Sequence, residues 1–202
     1  MLATMDQPLP LPPYRQLPLN ERIRRIRCLV LDVDGVLTDG RLYYTADGEH
    51  IKTFHVRDGS ALRLWKVAGG WTVILSGRSS AALMRRAEEL SADVVRQGVA
   101  NKVQTLSEVC HTLRVEWSEI CAVGDDWLDV PLLRQVGVAA APADACPEVL
   151  SCVDFVTPCR GGHGAIRDLV EWLLRQQGRW QTTLAQAWQE SEGRKRTEPS
   201  GL

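Results

Sequence analysis

Leu29-Val30-Leu31-Asp32-Val33-Asp34-Gly35-Val36-Leu37-Thr38-Asp39-Gly40 decides the fold. An unbroken apolar run ends in two carboxylates one residue apart. Such a run reads as a strand buried on both faces, as in a parallel sheet. In open α/β sheets, ligands bind beyond the carboxyl ends of the strands, which puts Asp32 and Asp34 where chemistry is expected. Residues i and i+2 of an extended segment point the same way, so the two acids repel unless a cation or proton lies between them. A hard divalent ion with oxygen ligands, most simply Mg2+, meets that need. Gly35 then allows a sharp turn close to whatever the acids hold. Asp-x-Asp-Gly by itself also describes a solvated turn, and both readings stand at this point.

Working outward, the same pattern recurs. Trp71 to Leu75 and Ile120 to Val123 are apolar runs, ending in Ser76-Gly77-Arg78 and in Gly124-Asp125-Asp126-Trp127-Leu128-Asp129. Ala92 to Arg96, Val138 to Ala141 and Val153 to Val156 read as shorter strands. Between them lie helices with apolar stripes: Ala61, Leu64, Trp65 and Ala68, with Asp58 as a candidate cap; Leu83, Ala87 and Leu90; Val103, Leu106, Cys110 and Leu113, opened by Asn101; and Ile166, Leu169, Val170 and Leu173. Alternating strands and helices predict an α/β, three-layer Rossmann-like fold with a parallel central sheet. Residues 41–56 predict a β-hairpin insertion, Arg41 to Thr45 pairing with Glu49 to Val56 across Asp47-Gly48. Its Tyr43, Tyr44, Ile51 and Phe54 need a partner surface.

The 202 residues are 45% hydrophobic and 24% charged, with a net charge of -1. That allows one sizeable domain and provides no global field for nucleic acid or an anionic membrane. No apolar run is long enough for a membrane helix, and no signal peptide is visible. Six scattered cysteines form no Cys-x-x-Cys pair, which points to a reduced, cytoplasmic setting. Residues 1–20, rich in proline, read as an extended or disordered arm, 21–180 as the domain, and 181–202 as a polar tail. The tail's Arg194-Lys195-Arg196 is a weak nucleic-acid signal.

A parallel sheet brings the strand ends to one edge. There they supply acids for a metal, a hydroxyl and a cation, a set suited to phosphoryl transfer. The four motifs in order (Asp32-Val33-Asp34-Gly35, Ser76, Lys102, Gly124-Asp125-Asp126-x-x-Asp129) resemble the haloacid dehalogenase (HAD) superfamily. Asp34 to Gly40, Val56-Arg57-Asp58-Gly59, Ser76-Gly77-Arg78, Asn101-Lys102 and Gly161-Gly162-x-Gly164-Ala165-Ile166-Arg167 resemble the 3-deoxy-D-manno-octulosonate 8-phosphate (KDO 8-phosphate) phosphatases within it, over residues 24–178. The resemblance implies that Asp32 is the nucleophile and Asp34 the acid and base. It implies Mg2+ held by Asp32, the Asp34 carbonyl and Asp125, with Asp126 and Asp129 in support, and Ser76 and Lys102 on the phosphoryl oxygens. Arg78, Arg57 and His163 are candidate substrate contacts. An arginine is expected where His163 stands, which leaves the sugar open: KDO 8-phosphate, or a nine-carbon sialic-type 9-phosphate.

The intervals Asp34 to Ser76 and Ser76 to Lys102 leave no room for a cap domain. Relatives of this kind form homotetramers with their hairpins at the centre, and their Gly161–Ala165 segments reach a neighbouring site; the same is expected for hairpin 41–56 here. Two other readings remain. A response-regulator receiver also combines acids, a hydroxyl and a lysine, but its acidic pair and its phosphoacceptor lie on separate strands. A non-catalytic partner of a sugar-acid cytidylyltransferase would not need the full motif set.

Overall fold

A computed structural model of the chain describes residues 10–46 and 50–197. Its elements run Leu19–Arg25 (α1), Cys28–Leu31 (β1), Tyr43–Tyr44 (β2), His50–Ile51 (β3), Val56–Val67 (α2), Trp71–Leu75 (β4), Ala81–Glu89 (α3), Val94–Arg96 (β5), Lys102–Leu113 (α4), Ile120–Val123 (β6), Val130–Leu133 (α5), Val138–Ala141 (β7), Pro147–Leu150 (α6), Phe155–Val156 (β8), Ala165–Gln176 (α7) and Trp180–Thr197 (α8).

Among the described residues the main sheet has six strands in the order β5-β4-β1-β6-β7-β8, all parallel. β1 lies in the middle. Leu31 is in register with Ile74 on one side and Val123 on the other. The chain leaves β1 toward β4 and later returns to its other flank as β6, so the strand order reverses there and a crevice opens at the carboxyl edge.

The alternation along β1 shows why both faces are buried. Leu29 and Leu31 join Ile74, Cys121 and Val123 in a core under α2 and α7. Cys28 and Val30 join Val73, Leu75 and Ala122 in a second core under α4 and α5. An apolar run without polar alternation is what a strand covered on both sides requires. No cap domain interrupts the described residues. Between β1 and β4 lie only the hairpin strands and α2, and between β4 and α4 only α3 and β5.

Four expectations are corrected. The arm is ordered from Pro10 on: Pro13–Gln16 is a 3-10 turn and α1 begins at Leu19. Tyr14 donates to the Gln135 carbonyl, and Arg15 pairs with Asp154. Arg22 adds a second pair to Asp154 at 2.7 Å and donates to the Gly137 carbonyl at 2.8 Å. These partners lie more than a hundred residues away in sequence, so proline content alone could not reveal them. The tail is also no tail at its start. α8 docks through buried Trp180 and Thr183, with Leu184 and Ala187 packed on the core. The guanidiniums of Arg167 and Arg175 lie over the Trp180 ring, at 5.0 and 5.2 Å.

The hairpin is shorter than expected. Tyr43 pairs with Ile51 and Tyr44 with His50; the expected Asp47-Gly48 turn lies outside the described residues, and Val56 already opens α2. Finally, Asp58 does not cap α2. Its buried carboxylate reaches across to α7 and accepts from Arg167 N–H at 2.9 Å, near the positive end of that helix's dipole.

Among the described residues Asp154 is the one anion paired with both Arg15 and Arg22, so its loss leaves two buried cations without a counter-charge. Asp154→Ala is expected to cost about 3–5 kcal/mol, measured by urea unfolding; a change under about 1 kcal/mol would show that the arm contributes little to stability.

Candidate active site

β1 delivers Asp32 to the crevice, where its N–H donates to the Val123 carbonyl at 3.1 Å. The next turn brings Asp34 beside it. From β6 come Asp125 and Asp126, and then a 3-10 turn, Trp127–Asp129. α4 contributes Lys102 from its first turn, just after Asn101, whose side chain caps the helix by accepting from Gln104 N–H at 3.1 Å. The result is a cleft of about 520 Å³, lined by Asp32, Asp34, Lys102, Asp125, Asp126 and Asp129, with Arg78 at its rim.

The charges are paired in a definite way. Lys102 Nζ lies 2.9 Å from Asp32 Oδ1 and 2.5 Å from Asp129 Oδ1. Asp129 is 2% exposed. Its Oδ2 accepts from the N–H groups of Asp125 and Asp126, at 3.2 and 3.4 Å. The Asp126 side chain returns the favour by accepting from the Asp129 N–H, which closes a reciprocal cap on the short turn, and it also accepts from Trp127 N–H at 2.8 Å. Asp129 therefore orients both Lys102 and the Asp125-Asp126 backbone.

Carboxylate oxygens of Asp32, Asp125 and Asp129 all lie within 4.8 Å of one another. Asp129's oxygens are already engaged, but Asp125 Oδ1 is buried with no hydrogen-bond partner. A buried, unpaired carboxylate oxygen is costly and calls for a cation. Burial, then repulsion from Asp32, Asp129 and Asp126, pushes the Asp125 carboxyl up to about 7. Burial also raises Asp32, against the pull of Lys102. Lys102 itself is lifted: burial lowers it, but the charges of Asp32 and Asp129 outweigh that. Acids this reluctant to ionise without a counter-charge suit a hard divalent ion held by Asp32 and Asp125.

Gly35 adopts φ +91°, and a Cβ built there would lie 2.0 Å from Asp125 Oδ2. Only a glycine lets the Asp125 carboxylate sit against the turn. Gly161 is just as tight, since a Cβ there would meet the Gly35 carbonyl oxygen at 1.7 Å. Gly162 N–H donates to the Val36 carbonyl at 3.0 Å. The Gly161-Gly162 segment thus buttresses its own chain's Asp34-Gly35 turn.

The structure sorts the remaining candidates. Arg78 reaches the cleft, where its guanidinium donates to Tyr44 Oη at 3.2 Å. Ser76 is buried at the end of β4, its Oγ accepting from Arg78 N–H at 3.1 Å; Gly77 rather than Ser76 lines the cleft. Arg57 and His163 do not line it. Arg57 is exposed on the first turn of α2. His163 is exposed too, its Nδ1 2.7 Å from the Gly161 carbonyl.

One charged partner of the site escaped the sequence reading. Lys52, just past β3, is ion-paired with Asp34 Oδ1. The signal was in the alternation: Ile51 and Thr53 are exposed, whereas Lys52 and Phe54 turn inward.

Comparison with known proteins identifies the family. The haloacid dehalogenase-like hydrolase family matches residues 83–167. The chain is 37% identical over 158 residues to the 3-deoxy-D-manno-octulosonate 8-phosphate phosphatase KdsC of Escherichia coli K12, a match covering 78% of this chain and 84% of that protein. The chain belongs to the haloacid dehalogenase-like hydrolases. Its fold is shared with the KDO 8-phosphate phosphatase of Moraxella catarrhalis, solved with a magnesium ion, a phosphate ion and a KDO molecule; the two are 32% identical, with TM-score 0.80 over 83% of this chain and 96% of that one. The cobalt-bound enzyme of Haemophilus influenzae is 36% identical, with TM-score 0.76 over 79% and 93%. This hydrolase is a phosphatase without a cap domain among its described residues, and its acidic cluster fits a divalent metal.

Two predictions follow from the geometry. Because the folded Asp125 carboxyl is raised, its contribution to metal-free stability is present below about pH 4 and is lost as the pH rises through about 7. A cation replaces the proton, so the rise in Tm on adding magnesium should be larger at about pH 8 than at about pH 5.5. Asp125→Asn should abolish that rise and leave the metal-free protein more stable than wild type at the higher pH. Gly35→Ala should cost about 2 kcal/mol or more and lower kcat/KM at least ~100-fold; near-normal turnover would show that the turn tolerates a Cβ after all.

Proposed function

We propose that the enzyme hydrolyses the phosphomonoester of a 3-deoxy-2-keto sugar acid, KDO 8-phosphate first, through an aspartyl phosphate. What carries this reading is that Asp32, Asp34 and Lys102 share one cleft in a chain whose relatives are named for that substrate.

Asp32 attacks phosphorus, forming the acyl phosphate as the bond to the sugar oxygen breaks. Asp34 gives its proton to the departing alkoxide, and then takes one from the water that attacks the acyl phosphate and releases Asp32. Lys102, on the same side as Asp32, offers its ammonium to the phosphoryl oxygens, where charge accumulates in transfer. Ser76, buried beside Gly77 at the cleft, is assigned to the same oxygens through its hydroxyl proton, since its Oγ already accepts from Arg78 N–H. Magnesium, held by Asp32, Asp125 and the Asp34 carbonyl, would supply the positive charge that lets an anionic nucleophile approach an anionic phosphate. Arg78 is assigned to the substrate carboxylate, which a guanidinium fork matches.

The cleft is open to water, and a capless chain gains from a neighbour that covers it. Leu42, Tyr43, Tyr44 and Ile51 on the hairpin segment are exposed, as are Trp127 and Leu128 at the rim. We assign these to subunit contacts in a homotetramer with hairpins 41–56 at its centre, working in the cytoplasm. No helix among the described residues is long and apolar enough to cross a membrane.

A substrate panel tests the reading: phosphate release from KDO 8-phosphate, a nine-carbon keto-acid 9-phosphate and hexose phosphates, each with magnesium. Preference for the first is expected. Preference for the nine-carbon ester would reassign the sugar while keeping the chemistry. Asp32→Asn should abolish turnover, and unchanged turnover would remove Asp32 as nucleophile. Light scattering should give a mass near four chains; the mass of a single chain would refute the tetramer.

A further inference from the structure

Each of the two catalytic-loop aspartates has its own lysine. Asp32 is paired with Lys102, which α4 anchors in the body of the domain and Asp129 steadies from behind. Asp34 is paired with Lys52, which comes from the hairpin. The two lysines differ in what supports them. Lys102 belongs to a twelve-residue helix packed on the sheet. Lys52 belongs to the return arm of a ribbon whose described strands are two residues each.

The Lys52 side chain is only 2% exposed, while that of its partner Asp34 is 21% exposed. Lysine is rarely buried to this degree without a partner, and an unpaired ammonium would be expelled to water. The neighbouring hairpin side chains Tyr43, Tyr44 and Ile51 are exposed, whereas Phe54, two residues on, packs against the main core. The pair with Asp34 and the Phe54 contact therefore fasten the hairpin's return arm over the catalytic turn.

We propose that Lys52 is a positioning residue. It holds Asp34 by Oδ1, so that Oδ2 faces the reacting phosphoester and carries the proton exchanged with the leaving group. This inference rests on the phosphatase reading above. In the first step the Asp32-to-phosphorus bond forms, the phosphorus-to-sugar-oxygen bond breaks, and the Asp34 proton goes to the sugar oxygen. In the second, water oxygen bonds to phosphorus, Asp32 leaves, and a water proton returns to Asp34. Lys52 exchanges no proton in either step. It limits the rotation of a side chain that follows a turn and must serve the same atom twice. The hairpin thereby becomes part of the acid–base machinery, and its seating on the domain decides whether Asp34 is aimed.

The test compares Lys52→Met and Lys52→Arg with wild type on two substrates. One is the panel's best sugar-acid phosphate, whose alkoxide needs a proton to leave. The other is p-nitrophenyl phosphate, whose phenolate leaves without one. For Lys52→Met, kcat/KM on the sugar phosphate should fall ~100-fold, within the range a general acid contributes, and on the aryl phosphate only a few-fold. Lys52→Arg should recover most of the loss, and if the methionine variant does not fold, it should show the same inequality on a smaller scale. The inhibition constant of the free sugar acid, competed against p-nitrophenyl phosphate, should not move.

Equal losses on both substrates would overturn the proposal in favour of a purely structural lysine. A weakened inhibition constant, changing in step with the loss, would overturn it in favour of a lysine that binds the substrate carboxylate. Wild type that releases phosphate from none of the esters would instead sink the phosphatase reading itself, so the two failures are distinguishable.

Discussion

Negative charge packed beyond its own tolerance governs this molecule. Three carboxylates at the carboxyl edge of the sheet have oxygens within 4.8 Å of one another, and one oxygen of Asp125 is buried without a partner. At such separations in a half-dry cleft, like charges repel by several kcal/mol. Among the described residues one cation pairs directly with this group, Lys102. A single ammonium cannot balance the set. The site is thus strained toward binding more positive charge, which a divalent cation would supply.

Much of the surrounding structure keeps that arrangement from relaxing. Gly35 removes the one side-chain atom that would push Asp125 away, and Gly161 and Gly162 bring a distant loop onto the back of the same turn. Asp129 spends one oxygen on Lys102 and the other on two backbone N–H groups. None of these residues needs to touch substrate. They convert the flexibility of a polar loop into fixed direction, which is where most of the catalytic benefit of such a site arises.

The sheet, its parallel order and the acid cluster were readable because they depend on local pattern. Leu29 to Leu31 reads as doubly buried from three consecutive apolar residues, and Asp32 and Asp34 are marked by falling where that run stops. The misread contacts share one feature, a partner brought up by tertiary packing rather than by local pattern. Arg15 and Arg22 look like ordinary surface cations until β7 and β8 bring Asp154 between them. Asp58 looks like a cap for its own helix, but its Oδ1 accepts from the Arg167 N–H of α7 instead. Trp180 begins a polar-looking stretch, and two arginines of α7 give its ring a place to dock.

The sequence by itself determined the fold class, the edge of the sheet where chemistry would lie and the identity of the motif acids, because strand burial and the alternation of strand and helix are set by neighbours within a few residues. Only the tertiary structure decided which cation belongs to which acid. The motifs pointed to Lys102 and not to Lys52, and they paired neither lysine with a particular acid. The hairpin's inward alternation and the first turn of α4 bring each to a different aspartate, and Coulomb attraction in a poorly solvated cleft acts on distances that exist only after folding.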